Sequence, residues 1–436
     1  MRATKVLSLV SSCFLIFSFC LGLKAQSPVS VPYQSGLTNR PGDTYQGGAN
    51  RPYFCPTPGK IPIVASTPFP VKKPADRNDV LQLIDCGFNL GIVYGKVDVI
   101  KNYVNLAENL EFGYMVNNGY SNDYYKTMVE AFRNTSKVTS WFLVDEPTYD
   151  KIDEYVGLYN RLLGIDKSRT TFFNLVGAPI KTYLGPIKTF REYLDFLQDK
   201  FKPAVWSYDL YPMQIKNSRL VVSYDLFYSD LENFSYISKK SGRPFYVFCQ
   251  GMAFKNKVIQ RPAPKEEYLR FEAFSGLAYG AQGIFYWTYG LRESTDYETY
   301  FSALIDLYGK RYPAWYAAQK VNNEIRQYND IFFGCELVDV IHTGATQYEL
   351  TKKLNGSFGP FANIMTENAG ALVSRIKNGS KDYIIIVSHD VEKSQKVALT
   401  LKRGVNLTQE TDLNINKAGQ TLSLTLPKGG YVIFSL

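Results

Sequence analysis

The stretch Phe271-Glu-Ala-Phe-Ser-Gly-Leu-Ala-Tyr-Gly-Ala-Gln-Gly-Ile-Phe-Tyr-Trp287 changes its periodicity part-way along. It begins inside the amphipathic segment Tyr268–Tyr279, breaks at Gly280, and resumes as the apolar run Gly283–Tyr289. The run Pro244–Gln250 stands just upstream, so the whole reads strand, helix, strand. Working outward, the same rhythm repeats. Strand-like runs occur at Ile61–Ser66, Phe88–Tyr94, Glu111–Val116, Ser140–Val144, Thr170–Leu175 and Ala204–Leu210. Amphipathic stretches such as Val80–Cys86, Ile152–Leu163 and Tyr193–Phe201 lie between them, and Gly87, Pro147, Pro179, Pro203 and Gly242 punctuate the junctions. Eight strands with eight crossovers predict an α/β fold, a TIM (β/α)8 barrel. A doubly wound open sheet would want a Gly-rich phosphate loop after the first strand, whereas Pro68, Pro70 and Pro74 stand there.

After about Phe332 the texture changes. Val338–His342, Ala371–Ile376, Tyr383–Ser388, Lys396–Leu401 and Tyr431–Leu436 are strand-like, with no helical period between them. They predict a small all-β sandwich, and Leu426-Pro-Lys-Gly-Gly-Tyr-Val-Ile-Phe434 reads as its final edge hairpin. The expected division is a signal peptide over 1–25, a flexible lead-in over 26–55, the catalytic barrel over 56–330 and the sandwich over 331–436. The signal reading rests on Arg2 and Lys5, the apolar Val6–Leu23, and Leu-Lys-Ala before Gln26. It implies export to the periplasm, the cell surface or the medium. A lipid on Cys20 is the weaker form, because Phe19 is too large for the position before a lipidated cysteine.

With 45% hydrophobic and 20% charged residues the chain can bury a core, and its 33 tyrosines suit both packing and sugar rings. The net charge of +9 is dispersed without a basic run, which argues against nucleic acid. No later apolar run reaches 18 residues, so no transmembrane segment is expected. Cys55, Cys86, Cys249 and Cys335 lack metal-ligand spacing; disulfides and buried free thiols both remain open.

The two histidines, His342 and His389, both fall in the sandwich and stand too far apart and too alone to argue for a metal. A barrel without histidine cannot run Ser-His-Asp or Cys-His chemistry or build a His-rich zinc site. Acid–base work there falls to carboxylates, tyrosines or lysines, and for an exported enzyme that points to glycoside cleavage by two carboxyl groups, without metal or cofactor. Barrel active sites lie at the C-terminal strand ends. Those ends offer Asn117 and Asn118, Asp145 and Glu146, Asn174, Tyr208, Asp209 and Tyr211, Gln250, then Trp287 and Tyr289.

Trp141-Phe-Leu-Val-Asp-Glu-Pro147 resembles the strand-four motif of the large retaining (β/α)8 glycosidase clan of β-galactosidases, cellulases and β-glucanases. The barrel-then-sandwich order and the Phe271–Trp287 segment resemble it too. The resemblance implies Glu146 as general acid/base, with Asp145 in place of an asparagine that touches a sugar hydroxyl. One position departs. The clan's nucleophile is a glutamate closing strand seven, where Pro244-Phe-Tyr-Val-Phe-Cys-Gln-Gly251 offers Gln250, which cannot form a glycosyl ester.

Asp209, in Trp206-Ser-Tyr-Asp-Leu-Tyr-Pro212, is the best substitute as second carboxylate. A gap of roughly 6–9 Å to Glu146 would suit inversion, and a shorter one retention. The other residues would bind substrate: Asp145, Asn117, Asn118, Asn174, Tyr208, Tyr211, Gln250, Trp287 and Tyr289. Each also has a plain structural reading. Glu146 could be a helix N-terminal charge, Asp145 a cap, Asp209 an Asx turn, Gln250 a satisfied buried amide and the aromatics barrel packing. Glu272 reads as structural, and the sandwich as a packing module. The expectation is a monomeric exported glycoside hydrolase acting on a poly- or oligosaccharide. The alternatives are a non-catalytic glycan-binding protein on a degenerate barrel and an envelope scaffold.

Overall fold

A computed structural model describes residues 45–47, 51–53, 57, 59–117, 124–178, 181–367 and 369–436. The expected signal and lipid-anchor residues, Cys55 and Asn118 lie outside them. Eight parallel strands close into a barrel in chain order: β1 (Ile63–Ser66), β2 (Leu90–Tyr94), β3 (Gly113–Asn117), β4 (Val138–Asp145), β5 (Thr170–Val176), β6 (Trp206–Asp209), β7 (Phe245–Gln250) and β8 (Ile284–Trp287). Each is followed by a main crossover helix: α1 (Arg77–Asp85), α2 (Val97–Leu106), α3 (Tyr124–Phe132), α4 (Ile152–Ile165), α5 (Phe190–Phe201), α6 (Tyr224–Ser241), α7 (Glu266–Ala278) and α8 (Pro313–Gln327). Every strand predicted for the barrel is present.

Strand alternation sorts the side chains into two cores. Val64, Leu90, Ile92, Met115, Phe142, Phe172, Tyr246, Phe248 and Phe285 pack inside the barrel. Ala65, Val93, Tyr114, Val116, Trp141, Leu143, Phe173, Leu175, Val247 and Tyr286 pack outward with the helices. In β4 the alternation slips. Phe142 pairs with Phe172, but the next partners are Val144 with Phe173 and Asp145 with Asn174, so one residue is left over. This β-bulge turns Val144 toward the helices and brings Asp145 to the barrel mouth.

The base of β4 is tied down by Arg169. Its guanidinium donates to the carbonyls of Val138 (2.8 Å), Phe132 (2.6 Å) and Thr135 (2.7 Å) and to Asp166 (2.9 Å), which also accepts from the Trp141 indole (2.8 Å). Burial works against an ionised Asp166, but the bonds from Ser168, Trp141 and Arg169 outweigh it and hold the carboxyl below its usual range.

The sandwich is two antiparallel sheets. One has the order β9 (Glu336–His342), β11 (Ala371–Asn378), β12 (Lys381–Ser388), β17 (Tyr431–Ser435), β14 (Thr408–Gln409). The other runs β10 (Phe361–Thr366), β13 (Gln395–Leu401), β16 (Thr421–Leu426), β15 (Ile415–Ala418). The expected final hairpin does not form. β16 and β17 belong to different sheets, and β17 is an interior strand, because Leu424 and Leu426 face the sandwich core from one side and Val432 and Phe434 from the other. The first sheet covers α7, which is buried from Tyr268 to Ala278. Phe274 stacks on Tyr431 at 3.6 Å, and Ser374 donates to the Ala278 carbonyl at 2.6 Å. Gly429 (φ +55°) abuts the Glu267 carbonyl, where any Cβ would clash. Cys86, Cys249 and Cys335 are buried free thiols, and no described helix is long and apolar enough to cross a membrane.

Removing the Arg169 side chain leaves Asp166 buried beside unpaired carbonyls. Arg169→Ala should cost about 3–5 kcal/mol of stability in urea denaturation.

Candidate active site

The site is assembled around one amide. Asn174, inward-facing on β5 and 1% exposed, donates from Nδ2 to Asp145 Oδ1 at 2.9 Å and to Asp209 Oδ1 at 2.7 Å. Its Oδ1 accepts from Ser207 of β6 at 2.7 Å, which fixes the orientation of the amide. The two aspartate oxygens can therefore be no farther apart than the sum of those two donor lengths. Glu146, next to Asp145, has a left-handed backbone (φ +45°), a strained conformation for a residue with a Cβ. Its N–H donates to the Asn174 carbonyl at 2.9 Å, which carries the β4–β5 ladder one residue past Asp145, the end of the strand. Glu146 Oε2 accepts from the Tyr183 hydroxyl at 3.2 Å. Tyr183 lies on a short helix (Lys181–Leu184) in the β5–α5 loop, a position no strand-end pattern could flag.

That loop is anchored by buried Asp230 of α6, which accepts from the Ala178 N–H at 2.7 Å. The adjacent Gly177 donates to the Asp209 carbonyl at 2.9 Å and is packed too closely against Asp209 and Asp230 to hold a Cβ.

Three half-buried carboxyls sharing one mouth cannot all ionise cheaply. Burial, then the charges of Asp209 and Asp145, push Glu146 well above the usual carboxyl range, against the Tyr183 hydrogen bond. Burial and the Asp209 charge raise Asp145 to about 8. Burial raises Asp209 too, but only to about 6, because Asn174 and the Tyr211 hydroxyl hydrogen-bond to it. At neutral pH the arrangement is one ionised aspartate beside a protonated glutamic acid.

The other expected residues divide between the barrel interior and the helix layer. Trp287 faces inward, with Tyr211 stacked on it at 5.6 Å and Phe254 edge-on at 5.4 Å. Gln250 pairs with Trp287 in register at the end of β7 and is 2% exposed. Its Nε2 donates to the Pro262 carbonyl (2.7 Å), and its backbone N–H donates to Glu272 (2.9 Å), so Glu272 supports the strand end as expected. Gln250 Oε1 and Trp287 Nε1 are buried without a protein partner.

Tyr208 and Tyr289 do not join the site. Tyr208 is one residue out of phase with Asp209 and stacks on Phe234 at 4.1 Å in the helix layer, while Tyr289, two residues beyond the end of β8, packs there too and accepts from the Trp315 indole at 3.2 Å. Asn117 is buried at the end of β3. Asp145 caps no helix, since the next helical turn starts at Tyr149 behind Thr148. A cleft of about 630 Å³ opens on this same face over β1 and β2, lined by Phe69, Tyr94 and Tyr103 among others. A cavity of about 710 Å³ at Lys60, Lys137 and Arg326 lies at the opposite end, the face barrels use for stability rather than chemistry. Among the described residues no cluster of His, Cys, Asp and Glu could hold a metal ion.

A closed parallel barrel with paired carboxyls at its C-terminal mouth and a β-sandwich behind it is of the glycoside hydrolase type. The comparisons agree: residues 174–328 match the family model Glyco_hydro_42, described as β-galactosidase. The fold is similar to that of a catalytic mutant of Gan42B, a GH42 β-galactosidase from G. stearothermophilus (TM-score 0.56, 8% identity, covering 86% of this chain and 98% of that one). It is also similar to the β-galactosidase of Bacillus circulans sp. alkalophilus (TM-score 0.55, 9% identity, covering 86% and 99%). No curated protein matches the sequence.

Because Tyr183 donates to the ionised form of Glu146, Tyr183→Phe should raise the Glu146 pKa further. Infrared titration of the carboxyl band, with Glu146→Gln as reference, should show the Glu146 carboxyl ionising at a higher pH in the Phe variant.

Proposed function

We propose that the chain is a glycoside hydrolase in which Glu146 is the general acid and Asp209 the second carboxylate. The observation that carries this reading is the Asn174 amide, which gathers the carboxyls in one mouth where their proton affinities diverge. Divergent neighbours of this kind separate acid from base. Protonated Glu146 gives its proton to the glycosidic oxygen as the C–O bond breaks. Asp209 either takes a proton from the attacking water or attacks the anomeric carbon itself. Asp145, Asn174 and Tyr211 place the carboxylates, and Trp287 and Gln250 are buried side by side at the ends of β8 and β7. The matched family's description makes β-galactosides the first substrates to test. Action outside the cytoplasm rests on the Arg2–Ala25 segment alone.

A second reading rests on Gln250. The strand-seven end lacks the carboxylate of the clan the chain resembles, which suits a glycan binder that has lost turnover.

Glu146→Gln should lower kcat about 10²–10⁴-fold on natural glycosides. It should spare aryl glycosides whose leaving group needs no proton. Asp209→Asn should abolish turnover of both, and NMR of the first-formed anomer assigns retention or inversion. Glycan binding without product, unchanged in both variants, would establish the binder instead. In the hydrolase, kcat/KM should rise with pH through about 6, as Asp209 ionises, and fall only where Glu146 loses its proton.

A further inference from the structure

The two histidines, distant in sequence, meet in the seam between barrel and sandwich. His342 closes β9, His389 follows β12, and both are 1% exposed. A chain of close polar contacts runs through them. Glu232 Oε1 of α6 lies 3.0 Å from the Tyr279 hydroxyl, which lies 2.8 Å from His342 Nε2. His342 Nδ1 lies 3.1 Å from His389 Nε2, and His389 Nδ1 lies 3.1 Å from the Ala369 carbonyl.

Each of these four links needs one proton between its two heavy atoms. The Ala369 carbonyl brings none, two neutral imidazoles bring one each, and the phenol brings one. With Glu232 ionised the chain is one proton short. If Tyr279 donated to a carboxylate, His342 Nε2 would have to donate to Tyr279, and His389 Nε2 to His342. His389 Nδ1 would then face the Ala369 carbonyl as a second acceptor, buried and unpaired.

We infer that the barrel–sandwich seam is a proton-binding site, with Glu232 present as the neutral acid that completes the chain. Glu232 then donates to Tyr279, Tyr279 to His342, His342 to His389, and His389 to Ala369. All four links are filled in one direction, and both rings carry their proton on Nδ1. The surroundings place the proton on Glu232 rather than on a ring. Burial raises the carboxyl above its ordinary range. It holds His342 well below the ordinary imidazole value, with the neighbouring His389 adding to the effect, and lowers His389 to about 4.

The charged groups facing Glu232 are Lys352 and Arg191, which favour its ionisation, and Asp339, which opposes it and is tied to Lys352 at 2.6 Å. Around the rings stand Tyr228, Tyr224 and Tyr348 (ring centroids 4.5–6.2 Å away), with Asp225, Asp390 and Glu392 beyond those tyrosines. A cleft of about 230 Å³, lined by Arg191, Lys239, Asp339 and Lys352, reaches Glu232 and gives the proton a path to water.

The sign follows from linkage. Unfolded Glu232 ionises above about pH 4.3 while the folded acid keeps its proton. This contribution is full below that value and is lost as pH rises through the folded carboxyl's own range. The neutral rings act oppositely. Their contribution is present above about pH 6.5 and is lost as pH falls toward 4.

Glu232→Gln supplies a permanent N–H donor that does not titrate. Thermal melts of the untagged full chain should show Glu232→Gln equal to wild type near pH 5. The variant should be more stable by about 3 °C near pH 8–9. Parallel curves would overturn the proposal. Because the chain has only two histidines, ¹⁵N NMR of the wild type reads the rings directly. Two neutral rings protonated on Nδ1 are expected near pH 5, where the melts coincide; a doubly protonated ring, or neutral rings protonated on Nε2, at that pH would sink the assignment to Glu232.

Discussion

The site depends on a single side-chain amide. Asn174 Nδ2 has two protons, and both are spent, one on Asp145 and one on Asp209, while Ser207 holds the carbonyl end. Two carboxylates brought this close would repel if both were ionised, and an amide has no charge with which to cancel them. It orients them and leaves the repulsion in place. Burial, reinforced by that residual repulsion, keeps protons on Glu146 and Asp145 while Asp209 ionises first. A lysine or arginine at this position would have neutralised the cluster and removed the proton that an acid catalyst needs.

Two local strains deliver the carboxyls to that amide. The bulge in β4 reverses strand parity between Phe142 and Asp145, so that an acid occupies the inward position beside Asn174. Glu146 then turns through a left-handed conformation toward Tyr183. Such conformations cost on the order of 1–3 kcal/mol each and persist where the surroundings over-determine them. Here the surroundings are the Arg169 staple beneath β4, the Glu146 N–H bond to Asn174, and the Gly177–Asp230 packing behind Asp209. The sandwich contributes indirectly. It covers α7, whose Glu272 secures Gln250, and it shares with α6 the proton-bearing seam two residues from Asp230.

Much was legible in the residues alone. Alternation of apolar strands with amphipathic helices is a local property, set by backbone periodicity, and it named all eight barrel strands and the sandwich. The acidic pair at the end of β4, Asn174 and Asp209 were legible because barrel active sites gather at strand ends. Parity was not. Tyr208 is also a strand-end residue, yet a one-residue offset sends it into the helix layer; Tyr289 lies past the end of β8, where the chain leaves the strand and the alternation no longer holds; and the bulge that sets the phase in β4 exists only through pairing with β5. Tyr183, Asp230 and the His342–His389 contact were hidden for the same reason, since each joins elements that meet only when the barrel closes and the sandwich docks. Local sterics and hydrophobic period suffice for the elements, their order and the acids at the mouth, which is why these could be read along the chain. Which acid keeps its proton was decided by the tertiary structure, because burial and the nearness of other charges are properties of the assembled fold.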